Sequence, residues 1–187
     1  MTRPALIALL VLAAPVAQAQ GVLHTDAGST AMIIGSTNAR GFVCHADSVW
    51  GAGNPDRESG RLEVPVGTID CGNRHMSSDL RETLQADAFP SIRFDLGRVE
   101  RVSSDSVVVS GMLTIAGISR DVRVAGAVTS QSDGRWRLEG TKRLRLTDFG
   151  IDPPTKFLGL VRVHNEIDVR FDLFATRRNP AHPAGNS

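Results

Sequence analysis

The stretch LVRVHNEIDVRFDLF (Leu160–Phe174) alternates apolar and polar side chains over most of its length. The apolar positions are Val161, Val163, Ile167, Val169, Phe171 and Leu173. Because successive side chains of a strand point to opposite faces, this pattern predicts one long strand with an apolar face and a charged face. Such a strand would span roughly 40 Å, longer than most strands. Its apolar face could therefore cover the protein core alone or an external molecule as well.

Similar alternation recurs along the rest of the chain. The predicted strands cover residues 42–47, 62–67, 92–96, 107–115, 122–128, 135–139 and 143–146. Each has one apolar and one polar face, which is typical of antiparallel sheets with one solvated side. The pattern favours an all-β protein and leaves a sandwich and a closed barrel open.

One segment, Met76–Phe89, has a helical pattern instead. The polar residues 77–79 are candidate N-caps, and Glu82 completes a capping-box signature. Leu80 and Leu84 are four residues apart and would share one face of the helix. We therefore expect one short helix inserted into a β protein.

The first residues have the pattern of a secretory signal peptide. A positive charge at Arg3 precedes an apolar run and a small-x-small cleavage site that ends at Ala19. We expect a signal peptide over residues 1–19, a single domain over residues 20–175 and a disordered polar tail over residues 176–187. No other segment is long and apolar enough for a transmembrane helix, so the mature chain is not expected to span a membrane. The expected location is periplasmic or secreted.

Cys44 and Cys71 are the two cysteines of the chain. An even number of cysteines in an exported protein predicts a disulfide. The alternative is a metal site, since His45 and His75 lie near the two thiols in sequence. Cys44 and His45 would point to opposite faces of a regular strand, which favours the disulfide.

Charge and motifs argue against several functions. The formal net charge of +1 gives no electrostatic drive toward nucleic acid. No Ser/His/Asp arrangement or paired carboxylates can be recognised by spacing, so we expect neither an enzyme nor a bound cofactor. Asp148-Phe149-Gly150 matches the magnesium motif of kinases, but no other kinase motif accompanies it, and we interpret Gly150 as a turn residue.

Several stretches, taken in order, resemble the YceI-like family of periplasmic polyisoprenoid-binding proteins. They are LQADAFPSIRFDL (Leu84–Leu96), GMLTIAGISRDVRV (Gly111–Val124), LRLTDFGIDPP (Leu144–Pro154) and the final long strand. The resemblance covers residues 35–174. It implies an extended, lipocalin-like antiparallel β-barrel with a short helix near one end and a long apolar channel.

The resemblance also implies a function. Members of this family hold an isoprenoid chain, such as a polyprenyl or quinone tail, lengthwise in the channel, and some are linked to membrane b-type cytochromes. An isoprenoid lipid or quinone-like ligand is therefore the expected partner, with such a cytochrome as a further one. The short N-terminal region and the cysteine-bearing segments GSTNARGFVC and DCGNRHM depart from the commoner family pattern, which predicts a channel that is partly closed or differently sized.

The candidate ligand-binding residues are the apolar positions expected to face the channel, together with Asn165 and one face of the helix. On the strands they are Val107, Val109, Leu113, Ile115, Val122, Val124, Trp136, Leu138, Val161, Val163, Asn165, Ile167, Val169 and Phe171. On the helical segment they are Leu80, Leu84 and Phe89, which could lie over one barrel mouth. Gly111 and Gly126 would leave room on the inward face, which favours a cavity.

Two alternatives to a carrier stay open. The barrel could be filled by its own side chains, as small eight-stranded barrels can be, and the protein would then be a ligand-free periplasmic interaction or stress-response protein that acts through its surface. An enzyme in the barrel mouth would need clustered polar groups there, for example His45 or His75 near Asp70 and Asp79. Asn165, on the apolar face, would bond either to backbone at a bulge or to a ligand head group.

Overall fold

The computed structural model describes residues 22–156 and 160–178. The predicted signal peptide and residues 179–187 of the predicted tail lie outside the described residues. Within the described ranges the chain forms strands and one α-helix, α1 (Arg74–Thr83). The strands are β1 (Val22–Thr25), β2 (Thr30–Ser36), β3 (Gly41–Ala46), β4 (Trp50–Asn54), β5 (Ser59–Pro65), β6 (Ser91–Arg101), β7 (Ser106–Ile115), β8 (Ile118–Ser130), β9 (Trp136–Arg145), β10 (Thr155–Lys156), β11 (Val161–Arg162) and β12 (Glu166–Arg178).

Eight of these strands close into an antiparallel barrel. Strands β4 to β9 pair in chain order, and β9 pairs with β12. The C-terminal half of β12 pairs with β1, which returns to β4 and closes the ring. The N-terminal half of β12 pairs with β2, which pairs with β3. The predicted all-β, lipocalin-like barrel with one short helix is therefore confirmed.

The predicted continuous strand over Leu160–Phe174 is interrupted. Its first part is the separate short strand β11, which pairs with β10, and regular pairing resumes only at Glu166. The strand then continues to Arg178, because its last residues pair with β1. The predicted domain end at Ala175 therefore falls before the end of the strand.

Strands β1, β2 and β4 are absent from the sequence prediction, and their residues explain why. The apolar residues of β2 (TAMIIGS) follow one another without alternation. β1 is only four residues long. β4 (WGAGN) contains Gly51 and Gly53, and a Cβ at Gly53 would lie 3.2 Å from the Cα of Gly60 on β5. Glycine here permits close backbone approach but carries no polarity pattern.

Helix α1 begins and ends earlier than predicted. Asn73, not residues 77–79, is the N-cap, and its side chain accepts hydrogen bonds from the backbone N–H groups of His75 and Met76. Ser77 lies inside the helix, where its hydroxyl accepts a hydrogen bond from the Cys71 N–H at 3.0 Å. The helix ends before Gln85, whose φ of 54° is incompatible with a right-handed helix.

The disulfide between Cys44 and Cys71 is confirmed, with the two Cα atoms 3.9 Å apart. It joins β3 to the segment that precedes α1. Next to it, the backbones of His45 and Asp70 exchange two hydrogen bonds of 2.7 and 2.9 Å. Both cysteines are buried, so the bridge belongs to the core and holds the start of α1 against the barrel.

The outer faces of β9 and β12 are joined by ion pairs. Arg137 donates two hydrogen bonds to Asp172, both of 2.7 Å, and Arg143 donates two to Asp168. The hydrogen bonds from Arg137 lower the pKa of Asp172, and those from Arg143 lower the pKa of Asp168. Charged residues of the final strand therefore belong to the outer surface, and its apolar residues face inward.

Candidate functional site

A cavity of about 690 Å³ occupies one end of the barrel, beneath α1. Strands β2, β3, β5, β6, β7, β9 and β12 contribute its walls, and α1 covers one side with Met76, Leu80 and Leu84. The turn after β9 adds Phe149 and Ile151. The disulfide forms part of the wall, so the bond that fixes α1 also shapes the cavity. A concave site of this volume is in the range of ligand pockets.

The interior of the cavity is apolar. Its wall residues are Ala31, Ile33, Phe42, Cys44, Ala46, Val64, Ile69, Cys71, Ile92, Leu113, Ile115, Leu144, Leu146, Phe149, Ile151, Ile167 and Val169. Most of the tightly buried core residues at this end of the barrel belong to the same wall. The cavity is therefore part of the hydrophobic core, and apolar contacts are the main interactions it offers a ligand.

Polar residues gather at the mouth. They are Thr37, Arg40, Asn73, His75, Asp79, Thr83 and Arg145. The turn that carries Arg40 is fixed by Asn38, whose side chain donates to the Leu160 carbonyl and accepts from the Arg162 N–H, both at 2.9 Å. Arg40 and Arg145 form no ion pair within the described part of the chain. The mouth therefore offers two guanidinium groups and the Asp79 carboxylate beside an apolar interior.

Part of the predicted ligand-binding set lies in this lining. These residues are Leu80, Leu84, Leu113, Ile115, Val161, Val163, Ile167 and Val169. They come from α1, from the end of β7 and from both sides of the break before β12. The structure brings them around one cavity, and their contact with a ligand stays a prediction.

The remaining predicted residues lie outside the cavity lining. They are Val107, Val109, Val122, Val124, Trp136, Leu138, Asn165, Phe171 and Phe89. Val107 and Val109 are buried in the packed half of the barrel instead. Trp136 is 40% exposed because it is the first residue of β9, at the far barrel end. Phe89 covers the turn between β7 and β8, where a Cβ at Gly117 would lie 2.5 Å from its ring.

Asn165 has a structural role at the strand break. Its side-chain amide donates to the Thr147 hydroxyl at 2.9 Å, and its side-chain carbonyl accepts from the Thr147 N–H at 3.0 Å. Its backbone carbonyl accepts from Leu146. The amide is therefore occupied by protein groups, as the bulge alternative predicted, and it is not a cavity group.

The expectation that Gly111 and Gly126 leave room for a ligand is wrong, because a phenyl ring fills that room at Gly111 and the Leu138 side chain, with its Cδ1 atom 2.9 Å from a Cβ, fills it at Gly126. A Cβ at Gly111 would lie 2.6 Å from Cζ of Phe94. A Cβ at Gly140 would lie 2.6 Å from Cζ of Phe171, and the same ring lies 3.7 Å from a Cβ at Gly126. The two rings, which we call the aromatic floor (Phe94 and Phe171), lie next to the cavity. The expected long channel is therefore confined to one end of the barrel.

Much of the cavity wall has no recognisable signal in the sequence. Ala31 and Ile33 lie on β2, whose pattern does not alternate. Phe42, Cys44 and Ala46 were assigned to an alternating strand, but nothing in that pattern placed them near α1. The isolated bridge between His45 and Asp70 brings them there, and it pairs residues distant in sequence.

Of the residues named for an enzyme in the barrel mouth, His75 and Asp79 both lie in the cavity lining. Ser36 and His164 form a hydrogen bond of 3.0 Å on the outer surface, in a polar recess shared with Arg143 and Glu166. Across residues 22–156 and 160–178, no three His, Cys, Asp or Glu side chains are grouped as metal ligands. In the same residues no helix is both long and apolar enough to cross a bilayer.

Comparison with known families gives a match over almost all of the barrel. The model of the YceI-like domain family matches residues 22–175. A UPF0312 protein, PA0423 of Pseudomonas aeruginosa, is 26% identical over 105 residues, which are 52% of this chain and 54% of the relative. The UPF0312 protein PSPA7_0523 of Pseudomonas paraeruginosa is 25% identical over the same shares. The chain thus spans about half the length of the curated relatives it matches.

Solved structures share the fold at low identity. BcnA of Burkholderia cenocepacia has a TM-score of 0.70 and 18% identity, covering 81% of this chain and 99% of that one. A polyisoprenoid binding domain from Saccharophagus degradans, implicated in plant cell wall breakdown, has a TM-score of 0.70 and 12% identity, covering 83% and 98%. The YceI protein of Campylobacter jejuni has a TM-score of 0.55 and 18% identity, covering 70% and 81%. At these identities the likeness establishes the fold.

Proposed function

Because the chain belongs to the YceI-like domain family, we propose that it is an exported carrier of an apolar, chain-like ligand, an isoprenoid lipid or a quinone with its tail in the cavity. The observation that carries the proposal is the apolar cavity of about 690 Å³ beneath α1. The fold shared with a polyisoprenoid binding domain supports an isoprenoid as the ligand class. A membrane b-type cytochrome is the proposed partner for a quinone ligand.

The binding energy would come from burial. Removing one methylene group from water contributes about 0.8 kcal/mol, so a tail can be held without specific polar contacts. The cavity wall consists of aliphatic and aromatic side chains with a disulfide, which matches an apolar tail and offers no partner to a polar one. Binding by this cavity therefore selects for apolar chains over polar ligands of the same size.

The ligand's polar end would lie at the mouth. Arg40 and Arg145 lie there without a carboxylate partner in the described residues, and His75 adds a further polar group. Orientation with the head outward leaves these groups hydrated or in contact with the head. A reversed ligand would place a polar head against the aromatic floor, where no polar side chain of the lining could bond it.

Export is supported by the disulfide. Disulfides persist in oxidising compartments such as the periplasm. The Cys44–Cys71 bond and the signal-peptide pattern of residues 1–19 therefore agree on a periplasmic or secreted location.

Titration of delipidated protein with geranylgeraniol tests the proposal, with matched variants on one strand. Ala46 faces the cavity and is 2% exposed, whereas Val43 on the same strand is 40% exposed. Ala46→Phe should fill the cavity and weaken uptake by more than about tenfold. Val43→Phe should bind as the wild type does. Failure of the wild-type protein to bind, or equal binding by Ala46→Phe, would overturn the proposal.

A further inference from the structure

The aromatic floor lies just beyond the cavity lining along two strands. On β6 the inward residue Ile92 lines the cavity, and the next inward residue, Phe94, does not. On β12 the lining ends at Val169, and the next inward residue is Phe171. Phe171 is directly opposite Ala31 of β2, which is itself a lining residue. Each ring is thus the next inward side chain beyond a lining residue of its own strand, and each is paired across the sheet with a residue of the lining.

The space below the floor is filled by the protein. Val107, Val109 and Leu173 are at most 9% exposed and lie in that half of the barrel. The Phe171 ring rests where side chains are missing on two neighbouring strands, at Gly140 and Gly126. A Cβ at Gly140 would collide with the ring, so the glycine there lets the ring lie against the wall.

The cavity volume limits how much of a tail can be buried. A cavity of about 150 Å³ binds one benzene, which is about 25 Å³ for each carbon. By that measure the cavity of about 690 Å³ has room for roughly 28 carbons, enough for about five complete isoprene units. A longer tail would leave its remaining units in solvent at the mouth, because the floor blocks the other direction.

We propose that Phe94 and Phe171 set the length of tail that this protein selects, and that its ligands are short prenyl chains of up to about five isoprene units. This inference rests on the proposed function, since it describes what the same cavity accepts. We expect Phe171 to limit the chain length more than Phe94 does, because its ring lies against Gly140 and Gly126 on two other strands. Val169, one layer nearer the mouth, is the position at which a larger side chain would shorten the cavity.

A chain-length series of prenyl alcohols tests the inference in wild-type protein. Affinity should rise by about tenfold for each isoprene unit added, which is the net gain left after the entropic costs of binding, and stop rising near five units. If affinity keeps rising to about eight units with the same increment, the inference is wrong while the carrier function stands. If no alcohol binds, the proposed function itself fails.

Three variants test which side chains set this limit on chain length. In Phe171→Ala, affinity should stop rising at a chain about one isoprene unit longer than in the wild type, because a phenyl ring occupies the space of about six carbons. In Val169→Phe, affinity should stop rising at a chain about one isoprene unit shorter than in the wild type. Leu173→Ala also removes buried apolar atoms, but at the next inward position beyond Phe171, and should leave the limit on chain length unchanged. Retention of the wild-type limit by both Phe171→Ala and Val169→Phe would overturn the inference, and circular dichroism shows whether each variant is folded.

Discussion

Phe171 on β12 lies directly opposite Gly140 on β9, and a Cβ at Gly140 would be 2.6 Å from the Phe171 Cζ. The ring of Phe171 occupies the space that a side chain at residue 140 would fill, and it lies between two parts of the barrel interior. On one side of the ring, valine and leucine side chains fill the barrel. On the other side lies the cavity.

Adding a methyl group at Gly140 should disturb this pair. In Gly140→Ala the new Cβ would also lie 2.5 Å from the backbone carbonyl oxygen of Ala125, which cannot move easily. We expect the free energy of unfolding to fall by about 1–3 kcal/mol, as for overpacked cores. Urea denaturation measures it. Gly67→Ala is the control, because nothing lies within 4 Å of a Cβ there, and an effect equal to that of Gly140→Ala would contradict the account.

Loss of the disulfide should destabilise the barrel and loosen α1. The bond joins residues that are 27 apart in sequence, so by the chain-entropy model it contributes about 3.5 kcal/mol. The double variant Cys44→Ala and Cys71→Ala should lose stability of this order in urea denaturation. A reducing agent should destabilise the wild type and leave the double variant unchanged. Equal stability of both proteins under oxidising conditions would disprove a stabilising role.

The ion pair between Arg137 and Asp172 should make stability depend on pH in the acidic range. The hydrogen bonds from Arg137 lower the pKa of Asp172 in the folded state. A lowered pKa stabilises the fold above the ordinary value of about 3.9, and this contribution is lost as the pH falls through the lowered value. The stability difference between wild type and Asp172→Asn should therefore be constant near neutral pH and shrink in acid.

Chemical denaturation at a series of pH values checks this expectation. Asp87→Asn is the matched control, because Asp87 is exposed and forms no ion pair within the described residues. If the difference in the free energy of unfolding between wild type and Asp172→Asn grew toward low pH, the expectation would be contradicted.

Charge at the mouth should affect ligands with an anionic head more than neutral ones. Arg40→Glu should weaken binding of geranylgeranyl phosphate by about fivefold, since an exposed charge contact contributes about 1 kcal/mol. Binding of geranylgeraniol, which has the same tail and no charge, should not change. Arg101→Glu, at the far end of β6, serves as the control for net charge. Equal losses for phosphate and alcohol would mean that Arg40 acts through the cavity shape.

The alternation of side chains was sufficient to predict the strands that form most of the barrel wall. It predicted β6, and it worked for β7 and β8 because burial alternates along each of these two strands. It failed for β2, whose apolar residues are contiguous, and it joined β11 to β12 across the break at Asn165. Closure into a barrel came from the family resemblance, since alternation alone does not distinguish a barrel from a sandwich.

The extent of the cavity could not be predicted in the same way. Phe171, Val169 and Ile167 have the same apolar pattern in the sequence, yet only the last two line the cavity. The Phe171 ring lies instead against Gly140, the residue opposite it on β9, and that pairing depends on strand register. A polarity pattern carries no information on register between distant strands. The position of the aromatic floor therefore follows from the fold and not from the sequence pattern.

The most direct test of the central claim is a crystal structure of the protein with a linear alcohol of about sixteen carbons that carries a terminal bromine. The account predicts an anomalous bromine peak inside the barrel, between Leu113 and Val169 and above the aromatic floor, with the hydroxyl group toward Arg40. A bromine peak on the outer surface, or beyond Phe171 in the packed half of the barrel, would contradict it.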